Sequence, residues 1–210
     1  MVNDVRYLWI FILIHGLAWA LSVYLSIRSG GIRKSVRFFV PVMLAGFALE
    51  ASGVLSGKYG YPDYPLQLIL GGRGLPLIIM LGWSNIVFYF RRLARSLAGS
   101  TDSLFKIPLL TALLGILYDV IQDPIAFKLG WWYWPVVEGE AALWNVPVTN
   151  FSLWFVFLFF ITLFLDWIEK RAWPEKRKLI VSIVGLPVAG LMMLAAQMVF
   201  RLVLRLIGWL

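Results

Sequence analysis

VPVTNFSLWFVFLFFITLFL, at residues 146–165, is a run of twenty amino acids without a charged side chain. A helix of about 20 mostly apolar residues crosses the hydrocarbon core of a bilayer, so this segment predicts a membrane-spanning helix. Similar runs occupy residues 7–27, 38–55, 75–90, 104–122 and 179–200. Together they predict an all-α, polytopic transmembrane bundle of about six spanning helices, with residues 1–210 forming a single integral membrane domain.

The composition indicates the same class of protein. Of the 210 residues, 61% are hydrophobic and 14% are charged, whereas a soluble domain carries about 25% charged residues. The lipid bilayer is therefore the predicted partner. The net charge of +8 does not indicate nucleic-acid binding, because the basic residues are grouped between apolar runs and form no separate basic face. The absence of cysteine excludes disulfides, thiolate metal sites and a cysteine nucleophile.

Three basic clusters predict the orientation. They follow the first, third and fifth apolar runs, which places them all on one side of the membrane, and that side is cytoplasmic by the positive-inside rule. We therefore expect a multi-pass protein of the plasma membrane with both termini outside. The segment 201–210 is expected to form either a short interfacial helix or an extension of helix six. The clusters are Arg28, Arg33, Lys34 and Arg37; Arg91, Arg92, Arg95 and Lys106; and Lys170, Arg171, Lys176, Arg177 and Lys178.

The sequence also indicates a possible internal repeat. Glu50 is followed 12 residues later by Pro62, and Asp123 is followed 12 residues later by Pro135. Each loop then leads to an X-Pro helix start with a tryptophan seven residues further on, Pro76 with Trp83 and Pro147 with Trp154. Both units run in the same direction through the membrane, so a pseudo-symmetry axis would lie along the bilayer normal.

Three acidic residues lie inside the apolar runs at a similar depth: Glu50, Asp119 and Asp123. Asp119 and Asp123 are four residues apart, which places them on one helix face. An ionised carboxylate in a membrane is costly unless it is paired, protonated or beside a wet cavity. Carboxyl groups close together also repel one another when ionised, so we expect a neutral acid beside an ionised one, the arrangement used in general acid–base catalysis.

Structural roles remain possible for these residues. Asp119 or Asp123 could cap a helix end or form a salt bridge with Arg73 or Lys128. Asn150 could position a water molecule or brace a carboxylate. His15 could be catalytic, although a single histidine in a helix is more often a hydrogen-bonded packing residue.

Aromatic residues near the predicted depth of the acids could line a pocket for a flat apolar substrate and stabilise a carbocation by cation–π contact. The predicted substrate-binding residues are Tyr59, Tyr61, Trp83, Trp131, Trp132, Asn150 and Trp154. The sequence contains no P-loop, no G-x-S-x-G, no dinucleotide fingerprint and no histidine cluster, and it predicts no cofactor and no metal. The pair Asp119 and Asp123 is weakly similar to the Mg²⁺–diphosphate sites of prenyltransferases, which need a second Asp-rich motif.

The ordered set of motifs in residues 46–166 resembles the carotenoid biosynthesis membrane proteins, which include the bisanhydrobacterioruberin and γ-carotene hydratases. The resemblance implies addition of water to a terminal isoprenoid double bond of a carotenoid, giving a tertiary alcohol without a redox cofactor. Members of that family tend to be longer, with extra helices. The motifs are Glu50 with Gly57-Lys-Tyr-Gly-Tyr, Gly74-Leu-Pro-Leu with Trp83, Asp119-x3-Asp123-Pro124, Gly130-Trp-Trp-Tyr-Trp, and Val146-Pro-Val-Thr-Asn150-Phe with Trp154.

The catalytic hypothesis assigns Asp119 or Glu50 as the acid, and Asp123 as the base or the group that orients water. Two other functions fit the same residues. An acid-initiated isoprenoid cyclase would share the protonation step but exclude water from the cation. A small transporter or lipid-binding membrane protein would use the carboxyl groups to relay protons or bind a cation.

Overall fold

The computed structural model describes residues 5–99, 103–135 and 141–208. Helices dominate this part of the chain, and two short β-hairpins connect them. The helices are α1 (Val5–Gly30), α2 (Ile32–Leu55), α3 (Leu77–Ala98), α4 (Lys106–Leu129), α5 (Val148–Glu169), α6 (Glu175–Val184) and α7 (Leu186–Leu206). The strands are β1 (Gln67–Leu70), β2 (Arg73–Pro76), β3 (Ala142–Leu143) and β4 (Val146–Pro147).

The fold class predicted from the sequence is confirmed. Six helices in the described residues, α1 to α5 and α7, are long and apolar enough to span a membrane. The strands form only two-stranded antiparallel sheets, so the architecture is an all-α helical bundle. The chain is therefore an integral, multi-pass membrane protein.

Helix α4 continues past the point where the sequence predicted its end. Pro124 lies inside the helix, which runs on to Leu129 instead of stopping at Gln122. A proline lacks the N–H that its position would contribute, but membrane helices tolerate this loss where neighbouring groups compensate for it. Asp123 is therefore a residue of the helix interior, and the expectation that it caps a helix end is wrong.

The predicted sixth helix is divided into α6 and α7. The break falls at Gly185, where the Phe164 ring of α5 occupies the space that a side chain would need. A single helix over residues 179–200 was therefore wrong. The close approach of α5 requires a glycine at position 185, and Pro187, in the first turn of α7, lacks the N–H that would continue the hydrogen bonding of α6. Beyond it, α7 continues to Leu206, so Arg201 and Arg205 belong to an extension of the last helix.

The two halves marked by the sequence motifs have the same element order. In each, a 24-residue helix (α2 or α4) is followed by a loop, a β-hairpin and a 22-residue helix (α3 or α5). Each hairpin ends at the motif proline, since Gln67 pairs with Pro76 and Ala142 with Pro147. The two prolines then serve as the N-cap residues of α3 and α5, where a missing N–H costs least.

The bundle core lies where α3 and α5 meet. The rings of Trp83 and Trp154, the two motif tryptophans, have centroids 4.6 Å apart, and Phe157 lies 4.6 Å from Trp83. Helix α4 approaches α5 closely at Gly115, because the Leu158 side chain occupies the place of a Cβ atom there. These contacts position the acid-bearing faces of α2 and α4 around one central space.

At the opposite end of the bundle, basic residues of α2 and α3 pair with acidic residues of α5 and α6. Arg91 donates two hydrogen bonds to Asp166, one of them from Nε at 3.0 Å, and Arg95 bonds the same carboxylate at 2.7 Å. Both arginines also bond Glu169, at 2.7 and 2.6 Å. Arg37 joins the cluster at 3.6 Å from Glu169. Two of the clusters that predicted the orientation therefore also tie helices together.

Candidate functional site: a cavity lined by acids and aromatic rings

A central cavity lies at the end of the bundle where α2 and α4 carry their acidic residues. Its volume is about 70 Å³. Its wall is largely apolar and aromatic, with a few polar groups. The lining residues are Phe11, His15, Leu49, Glu50, Tyr59, Tyr61, Ile79, Gly82, Trp83, Ile86, Gln122, Asp123, Trp132, Trp134, Asn150, Leu153 and Trp154. We call it the acid cavity.

Glu50, on α2, has a donor on each of its oxygens. Trp83 Nε1 donates to Oε1 at 2.6 Å, and the Tyr61 hydroxyl donates to Oε2 at 2.5 Å. The side chain is only 5% exposed. These two hydrogen bonds fix the orientation of the Glu50 carboxyl group at the cavity wall.

Tyr61 is held as a hydrogen-bond donor by its surroundings. Burial of the ring, followed by the nearby Glu50 carboxylate, raises the pKa of Tyr61 well above its ordinary value. The hydroxyl consequently keeps its proton and donates a hydrogen bond to Glu50. The same two influences, in the same order, raise the pKa of Tyr59, whose ring also lines the cavity.

Asp119 and Asp123 form a second acidic group on α4, and one amide holds both. Asn150 Nδ2 donates to Asp123 Oδ2 at 2.7 Å and to Asp119 Oδ2 at 3.1 Å. The remaining oxygen of each aspartate, Oδ1, is buried without a hydrogen-bond partner among the described residues. Two adjacent carboxylates out of contact with water repel strongly, so the pair is most stable with one shared proton. Asp119 is fully buried and Asp123 is 2% exposed.

The loops after α2 and α4 cover the acid cavity, and we call residues 56–66 and 130–135 the roof. Gly60 and Tyr133 bond each other reciprocally, with N–H···O distances of 2.9 and 3.0 Å. The Tyr64 hydroxyl adds a bond to the Trp131 carbonyl at 3.0 Å. Gly60 and Tyr133 each lie two residues before the loop proline of their unit. The equivalent loops of the two halves therefore bind each other directly.

Two glycines of α2 allow the aromatic side chains to reach the cavity. A Cβ atom on Gly46 would lie 2.8 Å from Trp83 Cβ, closer than non-bonded carbons approach. A Cβ atom on Gly53 would overlap the Tyr59 ring. The two glycines are seven residues apart and share a helix face with Glu50. This face of α2 therefore fixes how closely Trp83 and Tyr59 approach the acid.

Most of the predicted site residues are brought together by the structure. Two of them do not line the acid cavity: Asp119 lies behind Asp123, and Trp131 instead packs on Phe11 with its Nε1 donating to the Tyr7 carbonyl at 3.1 Å. Sequence reasoning did not single out Phe11 or Gln122, which also line the cavity. Phe11 had no distinguishing signal, since a phenylalanine in α1 is typical of any membrane helix, whereas Gln122 is a polar residue of an apolar run beside Asp123 and could have been found. The predicted residues that do line the cavity are Glu50, Asp123, Tyr59, Tyr61, Trp83, Trp132, Asn150 and Trp154.

The structural alternatives for these residues have clear outcomes. The expected salt bridge from Arg73 or Lys128 to the aspartates is absent from the described residues, and Arg73 instead donates to the Val54 carbonyl at 2.6 Å. Of the two roles expected for Asn150, the structure shows the bracing of a carboxylate, since its amide bonds both Asp119 and Asp123. His15 lines the cavity and donates from Nδ1 to the Phe11 carbonyl at 2.9 Å. Among the described residues, no three acidic, histidine or cysteine side chains are placed to hold a metal ion.

The fold and the cavity define a class of protein: a multi-pass helical membrane protein with buried carboxyl groups facing an aromatic cavity. Residues 7–208 match the family of carotenoid biosynthesis proteins, a longer stretch than the motifs of residues 46–166. The chain therefore belongs to the carotenoid biosynthesis protein family and has a role in carotenoid metabolism. No curated protein and no solved structure matches it.

Proposed function

We propose that the protein adds water to a terminal isoprenoid double bond of an apolar carotenoid, producing a tertiary alcohol. One observation carries this proposal: a buried pair of carboxyl groups, Asp119 and Asp123, shares a single amide donor and faces a cavity lined by aromatic rings. Such a pair can hold one proton in an apolar environment and release it to a weak base. The family supports a carotenoid as the substrate.

Asp123 is the proposed proton donor, because it lines the cavity whereas Asp119 lies behind it. This refines the assignment from sequence, which had Asp119 or Glu50 as the acid. Glu50 is less suited to that role, since both of its oxygens already accept hydrogen bonds. Asp119 then acts as a positioning residue that shares the proton with Asp123.

The reaction balances without a redox partner. The Asp123 proton adds to the less substituted alkene carbon, and the π electrons form the new C–H bond, which leaves a tertiary cation. A water oxygen then bonds to the cationic carbon, and the excess proton returns to the aspartate pair. The faces of Trp83 and Trp132 stabilise the cation while it exists.

The same proposal includes an orientation. The basic clusters and the arginine-rich ion-pair cluster lie at the end of the bundle opposite the acids, and the positive-inside rule assigns that end to the cytoplasm. The acid cavity and both termini would then lie toward the outer face of the plasma membrane.

The proposal is tested by replacing Asp123 with asparagine in a bacterial strain that accumulates the linear carotene lycopene. We expect the wild-type chain to produce carotenoid heavier by one or two molecules of water, and Asp123→Asn to lower that yield at least 100-fold, as loss of a general acid does. Asp63→Asn is the matched control, because this carboxyl is exposed in the roof. Lipid extracts are analysed by liquid chromatography and mass spectrometry.

Other products would contradict hydration in distinct ways. A cyclic carotene of unchanged mass would favour the isoprenoid cyclase. Unchanged carotenoid together with proton-coupled flux in liposomes would favour the transporter. Full alcohol formation by Asp123→Asn would remove Asp123 from the mechanism.

A further inference from the structure

A second cavity adjoins the acid cavity at the same end of the bundle. It lies between α5 and α7, beneath part of the roof. Four side chains, Tyr59, Trp134, Asn150 and Leu153, line both cavities. These side chains lie between the two spaces, and one of them is the amide that holds the aspartate pair.

Helix α7 contributes two polar residues to this second cavity, Gln197 and Arg201. They are four residues apart and therefore share one helix face. Both are half-buried, although the same helix carries long apolar side chains such as Met198 and Val199 on its exposed surface. Polar side chains inside a membrane segment usually pair with one another or line a wet cavity. Arg201 therefore does more than reach the interface from the end of the last helix.

The hydrogen-bonding groups of this region are only partly satisfied. Gln197 Nε2 donates to Ser152 Oγ at 2.9 Å. Its Oε1 and the Nε of Arg201 are buried without a partner among the described residues, and so are Gln122 Oε1 and Asp123 Oδ1 beside the acid cavity. An unsatisfied buried polar atom destabilises the fold, and buried water molecules commonly supply the missing hydrogen bonds. Two of these atoms belong to α7 and two to α4, the helix of the proposed acid.

We propose that the cavity between α5 and α7 is a vestibule that binds water. Water molecules pass from it into the acid cavity beside the side chain of Asn150. The proposal rests on the proposed hydration, to which it assigns the route of the second substrate. Gln197 and Arg201 act as positioning residues, the glutamine accepting and the arginine donating hydrogen bonds to water. We keep the name vestibule for this cavity.

A defined water source matters for the outcome of the reaction. A tertiary cation in an apolar cavity loses a proton readily and returns to an alkene unless water lies against it. Water delivered past Asn150 reaches the cation on the side of the aspartate pair. Its oxygen then bonds to the cationic carbon, and its excess proton passes to the pair that gave the first one.

The vestibule is tested directly by cysteine labelling, since the chain has no cysteine of its own. Gln197→Cys and Met198→Cys are compared in the full-length protein in lipid nanodiscs, with a small charged methanethiosulfonate as the probe. Met198 is 66% exposed on the apolar surface of the same helix, one residue further on. We expect position 197 to react at least ten-fold faster than position 198. Equal rates at the two positions, or no reaction at 197, would overturn the vestibule.

A second measurement concerns the reaction itself. With lycopene as the probe and D₂O as the solvent, Gln197→Leu is expected to lower alcohol formation at least ten-fold while deuterium still enters the recovered alkene. Protonation is then intact and water capture is impaired. Unchanged alcohol, or equal loss of alcohol and deuterium, would count against the proposal. If the wild type forms no alcohol, the hydration fails, whereas the labelling at position 197 still decides whether the vestibule holds water.

Discussion

Trp83 and Trp154 occupy equivalent places in the two halves, but only Trp83 bonds an acid. Its indole N–H donates to Glu50, whereas Trp154 bonds no acid among the described residues and contacts the cavity through its ring. The motif tryptophan is therefore used as a hydrogen-bond donor in one unit and as an apolar wall in the other.

This difference predicts unequal effects of the same substitution. Trp83→Phe leaves an aromatic ring but removes one of the two donors that orient the Glu50 carboxyl group. We expect the rate of alcohol formation to fall about ten-fold, since a buried acceptor left without its donor costs about 1–3 kcal/mol. Trp154→Phe is the matched control, with a much smaller effect on the rate. Equal rates for the two variants would show that the reaction does not depend on the hydrogen bond from Trp83 to Glu50.

At the scale of helices, the approach of α3 to α2 depends on Gly46. The Cβ atoms that would clash, those of residue 46 and Trp83, are attached to the backbone and cannot turn away as the end of a long side chain can. Any side chain at position 46 must therefore move one helix relative to the other.

Gly46→Ala is expected to destabilise the bundle by about 1–3 kcal/mol, the usual cost of overpacking, and to displace Trp83 from Glu50. Gly16→Ala is the control, because a Cβ atom at Gly16 in α1 has nothing within 4 Å. Alanine there should be neutral or slightly stabilising, since it favours the helix over glycine. Thermal unfolding in detergent measures both effects. Similar unfolding temperatures for the two variants would contradict the role assigned to Gly46.

The helices could be predicted from sequence because each needs only a long apolar run, and membrane thickness sets its length. Their ends were harder to predict. In sequence, a proline that ends a helix looks the same as one inside it. Whether α4 continues past Pro124 depends on its packing against neighbouring helices. Position 185 requires a glycine because Phe164 packs against it, a contact between residues distant in sequence. The hairpins before α3 and α5 are too short for an alternating pattern to reveal.

The candidate site, like the helix ends, could be predicted from sequence only in part. Acidic residues in apolar runs are conspicuous, so Glu50, Asp119 and Asp123 could be identified without a structure. Which of them faces the cavity depends on helix rotation and on the partners supplied by other helices. Asn150 could equally have braced an acid or positioned water, and only its contacts with both aspartates show that it braces them.

At the scale of the whole molecule, the ion-pair cluster joins four helices at the basic end. Its centre is Arg91, which is 5% exposed and bonds Asp166, which is 6% exposed. The sequence presented Arg91 and Arg92 alike, as members of one topology signal. In the structure Arg91 is buried in the cluster, whereas Arg92 is exposed.

Arg91→Ala is expected to lower the free energy of unfolding by about 3–5 kcal/mol, because it leaves Asp166 buried with reduced compensation. Arg92→Ala removes the same charge from the next position of α3 and should have little effect. Unfolding of both variants in the same detergent gives the comparison. A similar loss for the two would mean that the net charge of this end matters more than the buried pair.

The reciprocal hydrogen bonds between Gly60 and Tyr133 affect the route by which a water-insoluble substrate enters the acid cavity. Because hydrogen bonds join the two loops of the roof over the acid cavity, we expect a polyene dissolved in the bilayer to reach the acids sideways, between helices. The concentration that governs saturation is then the mole fraction of carotenoid among the lipids. Diluting the membrane with inert lipid would slow the protein, whereas diluting the buffer would not.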